Sequence, residues 1–179
     1  MNIANKITIF RVLLVPLFLI VLYSNLDNSQ IIAGIIFIIA SLTDTLDGYL
    51  ARSRNLVTDF GKFVDPLADK ILVAAALISL VDLGKIPGWI VVIIIAREFT
   101  ITGFRTIAVS NGVTIAASPL GKFKTITQLL AIILILFNNF PFDSVPMDKI
   151  MLYLALIFTV LSGIDYIFKN KNVLNMKDI

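Results

Sequence analysis

The chain has 179 residues, 58% of them hydrophobic, and a mean hydropathy of +0.95, well above a soluble domain, in which roughly 45–50% are apolar. It has neither cysteine nor histidine, which excludes disulfides, thiolate nucleophiles, histidine-bound zinc and imidazole bases together and leaves acid–base or metal chemistry to carboxylates. The net charge of +3 is scattered between apolar runs, a pattern that suits loops beside anionic lipid and speaks against a nucleic-acid surface.

The apolar runs predict an all-α integral membrane protein, a single domain over residues 1–179 with room for about six spans of roughly 20 residues each. The first span is expected near Ile9 to Tyr23, after a polar lead, Asn2 to Thr8, that suits an amphipathic turn along the interface. Lys6 and Arg11 before an apolar run resemble a secretory leader. No small-residue cleavage pattern follows Val21, however, and five more apolar segments remain to be placed, so a span is expected there instead. The second span is expected near Ile31 to Arg52, followed by a charged loop, Ser53 to Asp59, and a third from Phe60 to Val81. Pro66 then falls close to the start of that span, where a missing N–H is better tolerated, and is expected to mark either a first turn or a mild kink. A loop from Leu83 to Gly88 leads to the fourth span, Trp89 to Val109, which carries Arg97, Glu98 and Arg105. The fifth is expected near Lys122 to Phe137 and the sixth near Lys149 to Phe168, with Pro141 and Pro146 between them.

Basic residues mark the cytoplasmic side of a membrane. Lys6 and Arg11, then Arg52, Arg54 and Lys62, then Arg105, Lys122 and Lys124, then Lys169, Lys171 and Lys177 fall at alternate ends, against Lys85 and Lys149 at the others. Both termini, and the turn between spans two and three, are therefore expected in the cytoplasm.

Around that turn lie four aspartates in the pattern D-x-x-D-G-x-x-A-R-x8-G-x3-D-x3-D: Asp44, Asp47, Asp65 and Asp69. Residues three or four apart share a helix face, so two antiparallel helices can bring all four carboxylates together, with Gly48 and Gly61 leaving room for a close approach. At the centre of a membrane each aspartate costs about 2.5–3.5 kcal/mol and four cost roughly 10–14, an upper bound nearer the surface. Arg52 is a single compensating charge. Divalent cations compensate better, and an all-oxygen ligand set points to Mg2+ or Mn2+. Two metals on shared carboxylates suit phosphoryl chemistry at the membrane surface. One carboxylate must then accept the proton of an attacking hydroxyl, and spacing leaves Asp65 and Asp69 both open for that role. The plainer reading, in which the aspartates cap helices or pair with Arg52, Arg54 and Lys62, accounts for one or two of them but not for four at matched spacing.

Asp44, Asp47, Gly48, Ala51, Arg52, Gly61, Asp65 and Asp69 together resemble the signature of the CDP-alcohol phosphotransferases. The resemblance implies a six-helix, usually dimeric membrane enzyme that moves a phosphatidyl or related group from a CDP-linked donor to an alcohol and releases cytidine monophosphate. It implies that Asp44, Asp47, Asp65 and Asp69 hold two divalent cations, that Asp69 is the base, and that Asp44, Asp47, Gly48, Arg52, Gly61 and Asp65 bind the donor. Asn5, Thr8 and Arg11 resemble the family's N-terminal element, which faces the CDP portion. Arg97-Glu98-Phe99, Gly103-Phe104-Arg105, Ala116-Ala117-Ser118 and Gly121-Lys122-Phe123-Lys124-Thr125 with Gln128 resemble its bacterial branch that uses glycerol-3-phosphate. CDP-diacylglycerol and glycerol-3-phosphate are accordingly the expected substrates, at the bacterial cytoplasmic (inner) membrane with the active site facing the cytoplasm.

Apart from that resemblance, Arg105, Lys122 and Lys124 form a cationic group suited to a phosphorylated acceptor, although positive-inside loop charge explains any one of them equally well. Arg97 lies two turns deeper, where pairing with Glu98 competes with substrate contact. Two alternatives stay open: another acceptor, such as inositol phosphate, serine or phosphatidylglycerol, and a divalent-cation transporter, since aspartates within spans also mark ion pathways.

Overall fold

A computed structural model describes the backbone of residues 3–53, 59–110, 112–113, 115–116, 118–142 and 144–170, and the side chains of these from 10 to 43 and from 70 onward except Ser110. Among the described residues there are six α-helices and no strand: α1 (Ile3–Leu22), α2 (Ser29–Ser53), α3 (Asp59–Asp82), α4 (Gly88–Ser110), α5 (Pro119–Leu136) and α6 (Met147–Lys169).

The expected segments all appear as helices, and their ends move for identifiable reasons. The polar lead is no separate turn, because α1 already begins at Ile3 and no glycine or proline interrupts Ala4 to Thr8. Helix α5 starts three residues before the expected Lys122. Ser118 accepts a hydrogen bond from the Gly121 N–H at 3.1 Å, and Pro119 follows at the first helical position, where its fixed φ and missing N–H cost nothing. Pro66 lies well inside α3, past the first turn, so the favourable placement near a helix start does not hold. Pro16 likewise lies inside α1.

Three helices end in the same motif. At the end of α3 the Lys85 N–H bonds to the Leu80 carbonyl at 2.9 Å and the Gly84 N–H to Val81 at 2.9 Å, with Gly84 at φ 67°. At the end of α4 Val113 bonds to Ala108 at 2.8 Å and Gly112 to Val109 at 3.0 Å, with Gly112 at φ 73°. These are Schellman caps, and the left-handed residue is glycine because a Cβ would be strained there. Helix α5 closes in the same way through Asn138, at φ 52°, the residue type that best tolerates this conformation after glycine.

The chain divides into two units, residues 1–85 with 133–141 and residues 86–132 with 142–179. In the first, α1 packs on α2 and α3, and α2 on α3. Buried residues recur every third or fourth position: Leu14, Val15, Phe18 and Leu22 on α1, Ala33, Phe37 and Ala40 on α2, and Leu72, Ala76, Leu77 and Leu80 on α3. The rings of Phe18 and Phe37 meet at 6.2 Å. A Cβ on Gly34 would stand 2.6 Å from the Phe137 ring, so the absent side chain is what admits that ring. Lys85 donates to Asn138 Oδ1 at 3.0 Å.

In the second unit α4 packs on α6. Ile101, Phe104 and Ala108 of α4 surround Tyr166 of α6, and Val113 and Ile115 close over them. The outward positions of both units are also apolar, among them Leu13, Ile20, Ile39, Ile78, Val92, Ile157 and Phe168, as contact with lipid requires. Helices α5 and α6 are long and apolar enough to cross a membrane, and shorter apolar stretches, Phe10–Leu22 and Ser29–Thr43, lie in α1 and α2. Trp89, the only tryptophan, stands exposed in the first turn of α4.

Candidate active site

The signature is carried by two helices that pack on each other. Asp44, Asp47, Gly48, Ala51 and Arg52 fall in the C-terminal half of α2, which runs unbroken to Ser53, and Gly61, Asp65 and Asp69 fall in the first half of α3. Asp44 and Asp47 are one turn apart, as are Asp65 and Asp69, so each pair occupies one helix face. The side chains of these eight residues lie outside the described residues, as do those of Asn5 and Thr8. As a donor set, four carboxylates on two packed helices suit hard divalent cations, which take oxygen ligands. Arg11, on α1, is fully buried in the first unit.

The cations of the second unit are described in full. Lys124, one and a half turns into α5, is only 2% exposed and forms an ion pair with Glu98 Oε1 of α4. A buried ammonium needs such a partner. The carboxylate that sequence spacing offers to Arg97 is therefore engaged chiefly by Lys124, and Arg97 Nη1 stands 3.9 Å from it. Arg97 instead donates from Nη2 to Ser162 Oγ of α6 at 2.9 Å. Gly163 lies beside it, where a Cβ would come within 3.3 Å of Arg97 Cγ. Arg105, exposed near the end of α4, donates from Nε to the Tyr166 hydroxyl at 3.3 Å and sits 5.4 Å from the centre of that ring. Lys122 is exposed in the first turn of α5. The three cations of the expected acceptor group thus have different settings: Lys124 is buried and paired, Arg105 is held by an aromatic residue, and Lys122 is open to solvent.

Helix α6 carries residues that the apolar pattern of the sequence passes over. Thr159, Ser162, Gly163 and Tyr166 are buried along one stripe at helical spacing, and two of them engage the two arginines of α4. The signal that finds them is the small and polar series T-x-x-S-G-x-x-Y within an otherwise apolar helix, because small and hydroxylated residues mark helix contacts in membranes. An open groove of about 280 Å³ between α4 and α6 is lined by Arg97, Thr100, Thr159 and Gly163 among apolar neighbours.

A family model described as CDP-alcohol phosphatidyltransferase matches residues 1–161. A Bacillus subtilis (strain 168) protein named CDP-diacylglycerol–glycerol-3-phosphate 3-phosphatidyltransferase is 46% identical, over 94% of this chain and 95% of its own. One of the same name from Haemophilus influenzae is 42% identical, over 93% of this chain and 91% of its own. A probable phosphatidylglycerophosphate synthase of Mycobacterium tuberculosis (strain ATCC 25618 / H37Rv) is 39% identical, over 93% of this chain and 80% of its own.

Proposed function

The chain belongs to the CDP-alcohol phosphatidyltransferase family, and on that premise we propose that it transfers a phosphatidyl group from CDP-diacylglycerol to sn-glycerol-3-phosphate, giving phosphatidylglycerophosphate and cytidine monophosphate. The observation that carries this reading is the extent of the likeness: relatives bearing the glycerol-3-phosphate name align with nearly the whole chain, including the helices outside the signature.

In the proposed reaction Asp44, Asp47, Asp65 and Asp69 hold two divalent cations, Mg2+ or Mn2+, whose part is to offset the charge of the donor pyrophosphate and of the departing phosphate. Asn5, Thr8 and Arg11 bind the CDP portion with Gly48, Arg52 and Gly61. Asp69 takes the proton of the acceptor's C1 hydroxyl, and the oxygen attacks the phosphorus attached to diacylglycerol while cytidine monophosphate leaves. Arg105 and Lys122 attract the acceptor's phosphate. Lys124 contributes to the same field while neutralising Glu98.

We place six spans in the bacterial inner membrane, both termini and the active site on the cytoplasmic side, and two copies in a dimer. The alternating arrangement is supported by the Lys85 to Asn138 hydrogen bond, which ties the end of α3 to the end of α5, as an up-and-down order of helices requires.

The test is product formation by purified protein with Mg2+ or Mn2+. Cytidine monophosphate should be released from CDP-diacylglycerol only when glycerol-3-phosphate is added. Release with serine or inositol phosphate instead would reassign the acceptor, and no release alongside metal flux into liposomes would replace the enzyme with a transporter.

A further inference from the structure

The Arg105 guanidinium is gripped twice by one residue. Its Nε donates to the Tyr166 hydroxyl at 3.3 Å, and its Cζ lies 5.4 Å from the ring centroid, within the range of a cation–π contact. Tyr166 is itself fixed. It is 3% exposed, stands edge-on to Phe104 with centroids 5.7 Å apart, and belongs to the apolar cluster of Ile101 and Ala108.

An exposed arginine samples many rotamers, and ordering it at the moment of binding weakens the complex. Here the ordering is done in advance by a side chain that is itself buried in a packed cluster. With Nε committed to a phenol oxygen, the edge left for a bidentate contact is Nη1 with Nη2, the fork that matches two oxygens of a phosphate.

We infer that Tyr166 is a positioning residue, presenting the Nη edge of Arg105 to the phosphate monoester of the acceptor and so favouring phosphorylated alcohols over plain ones. The inference rests on the reaction proposed above and on the place given there to Arg105. It assigns α6 a part in acceptor selectivity, although α6 carries none of the signature.

The discriminating variant is Tyr166→Phe, which keeps the ring and its packing on Phe104 and removes only the oxygen that Nε engages. The KM for glycerol-3-phosphate should rise about three- to tenfold, the equivalent of one ordinary hydrogen bond, with kcat and the KM for CDP-diacylglycerol unchanged. Arg105→Lys keeps the charge and lacks Nε; adding Tyr166→Phe to it should change the acceptor KM no further, because residues acting through one contact are not additive. Equal effects of Tyr166→Phe in the wild-type and Arg105→Lys backgrounds would overturn the inference. So would an unchanged acceptor KM, or a loss of kcat with lowered thermal stability and no split between the two KM values. Absence of cytidine monophosphate release by the wild-type protein would instead sink the reaction itself, a result separable from any behaviour of Tyr166.

Discussion

At the scale of single residues, the same acidic and basic types do different work according to what surrounds them. On the proposed reaction Asp69→Asn removes the proton acceptor and keeps the shape, so turnover should vanish while donor binding persists. Cytidine monophosphate release measured beside CDP-diacylglycerol binding checks this, and retained turnover would take Asp69 out of the base role. Glu98 and Lys124 are a structural pair. Glu98→Gln leaves a buried ammonium facing a neutral amide and should cost about 3 kcal/mol, the low end for breaking a buried pair because Glu98 is partly accessible. Glu98→Gln with Lys124→Met removes both charges and should recover much of that loss, as read by thermal unfolding in detergent. The charge of Lys124 is evident from the sequence, but its engagement is not: the partner lies on another helix, and Arg97, adjacent to Glu98 in the chain, offers a more obvious match. The helical register of the aspartate signature is legible for the opposite reason, since its spacing encodes two helix faces directly.

At the scale of elements, the apolar runs locate every helix, because length and hydropathy dominate in an apolar chain. The boundaries depend on local chemistry that hydropathy does not register. Ser118 followed by Pro119 is a start signal that sets α5 three residues earlier than the apolar run implies, and Gly84 and Gly112 are stop signals of the matching kind. Helix α6 is the larger omission. Its stripe of Thr159, Ser162, Gly163 and Tyr166 is visible as letters, but its partners, Arg97 and Arg105, are set by packing that spacing within α6 does not reveal. Contact between elements also makes a prediction in the first unit. Gly34→Ala puts a Cβ against the Phe137 ring and should destabilise the protein by about 1–3 kcal/mol through overpacking, seen as a lowered unfolding temperature, whereas alanine at exposed Gly103, which meets nothing within 4 Å, should not.

At the scale of the whole molecule, the proposed orientation can be read by chemistry the chain itself lacks. With no native cysteine, a single introduced thiol reports its own side of the membrane. In intact cells Lys85→Cys should react with an impermeant maleimide, and Lys169→Cys should react only after permeabilisation. The opposite pattern would invert the arrangement, and labelling of both in intact cells would remove the six-span order. Both positions are exposed, so a failure to react reports the bilayer and not burial within the protein.

The place of Trp89 has an optical consequence. As the sole indole, standing exposed where α4 begins, it would, on the proposed six-span order, fall in the interfacial belt in which such rings settle. Its fluorescence should therefore shift to the blue when the protein passes into vesicles and be quenched by lipids brominated near the headgroup, while staying constant as substrates are added. On the proposed arrangement the chain would carry a built-in depth gauge whose signal is separate from catalysis.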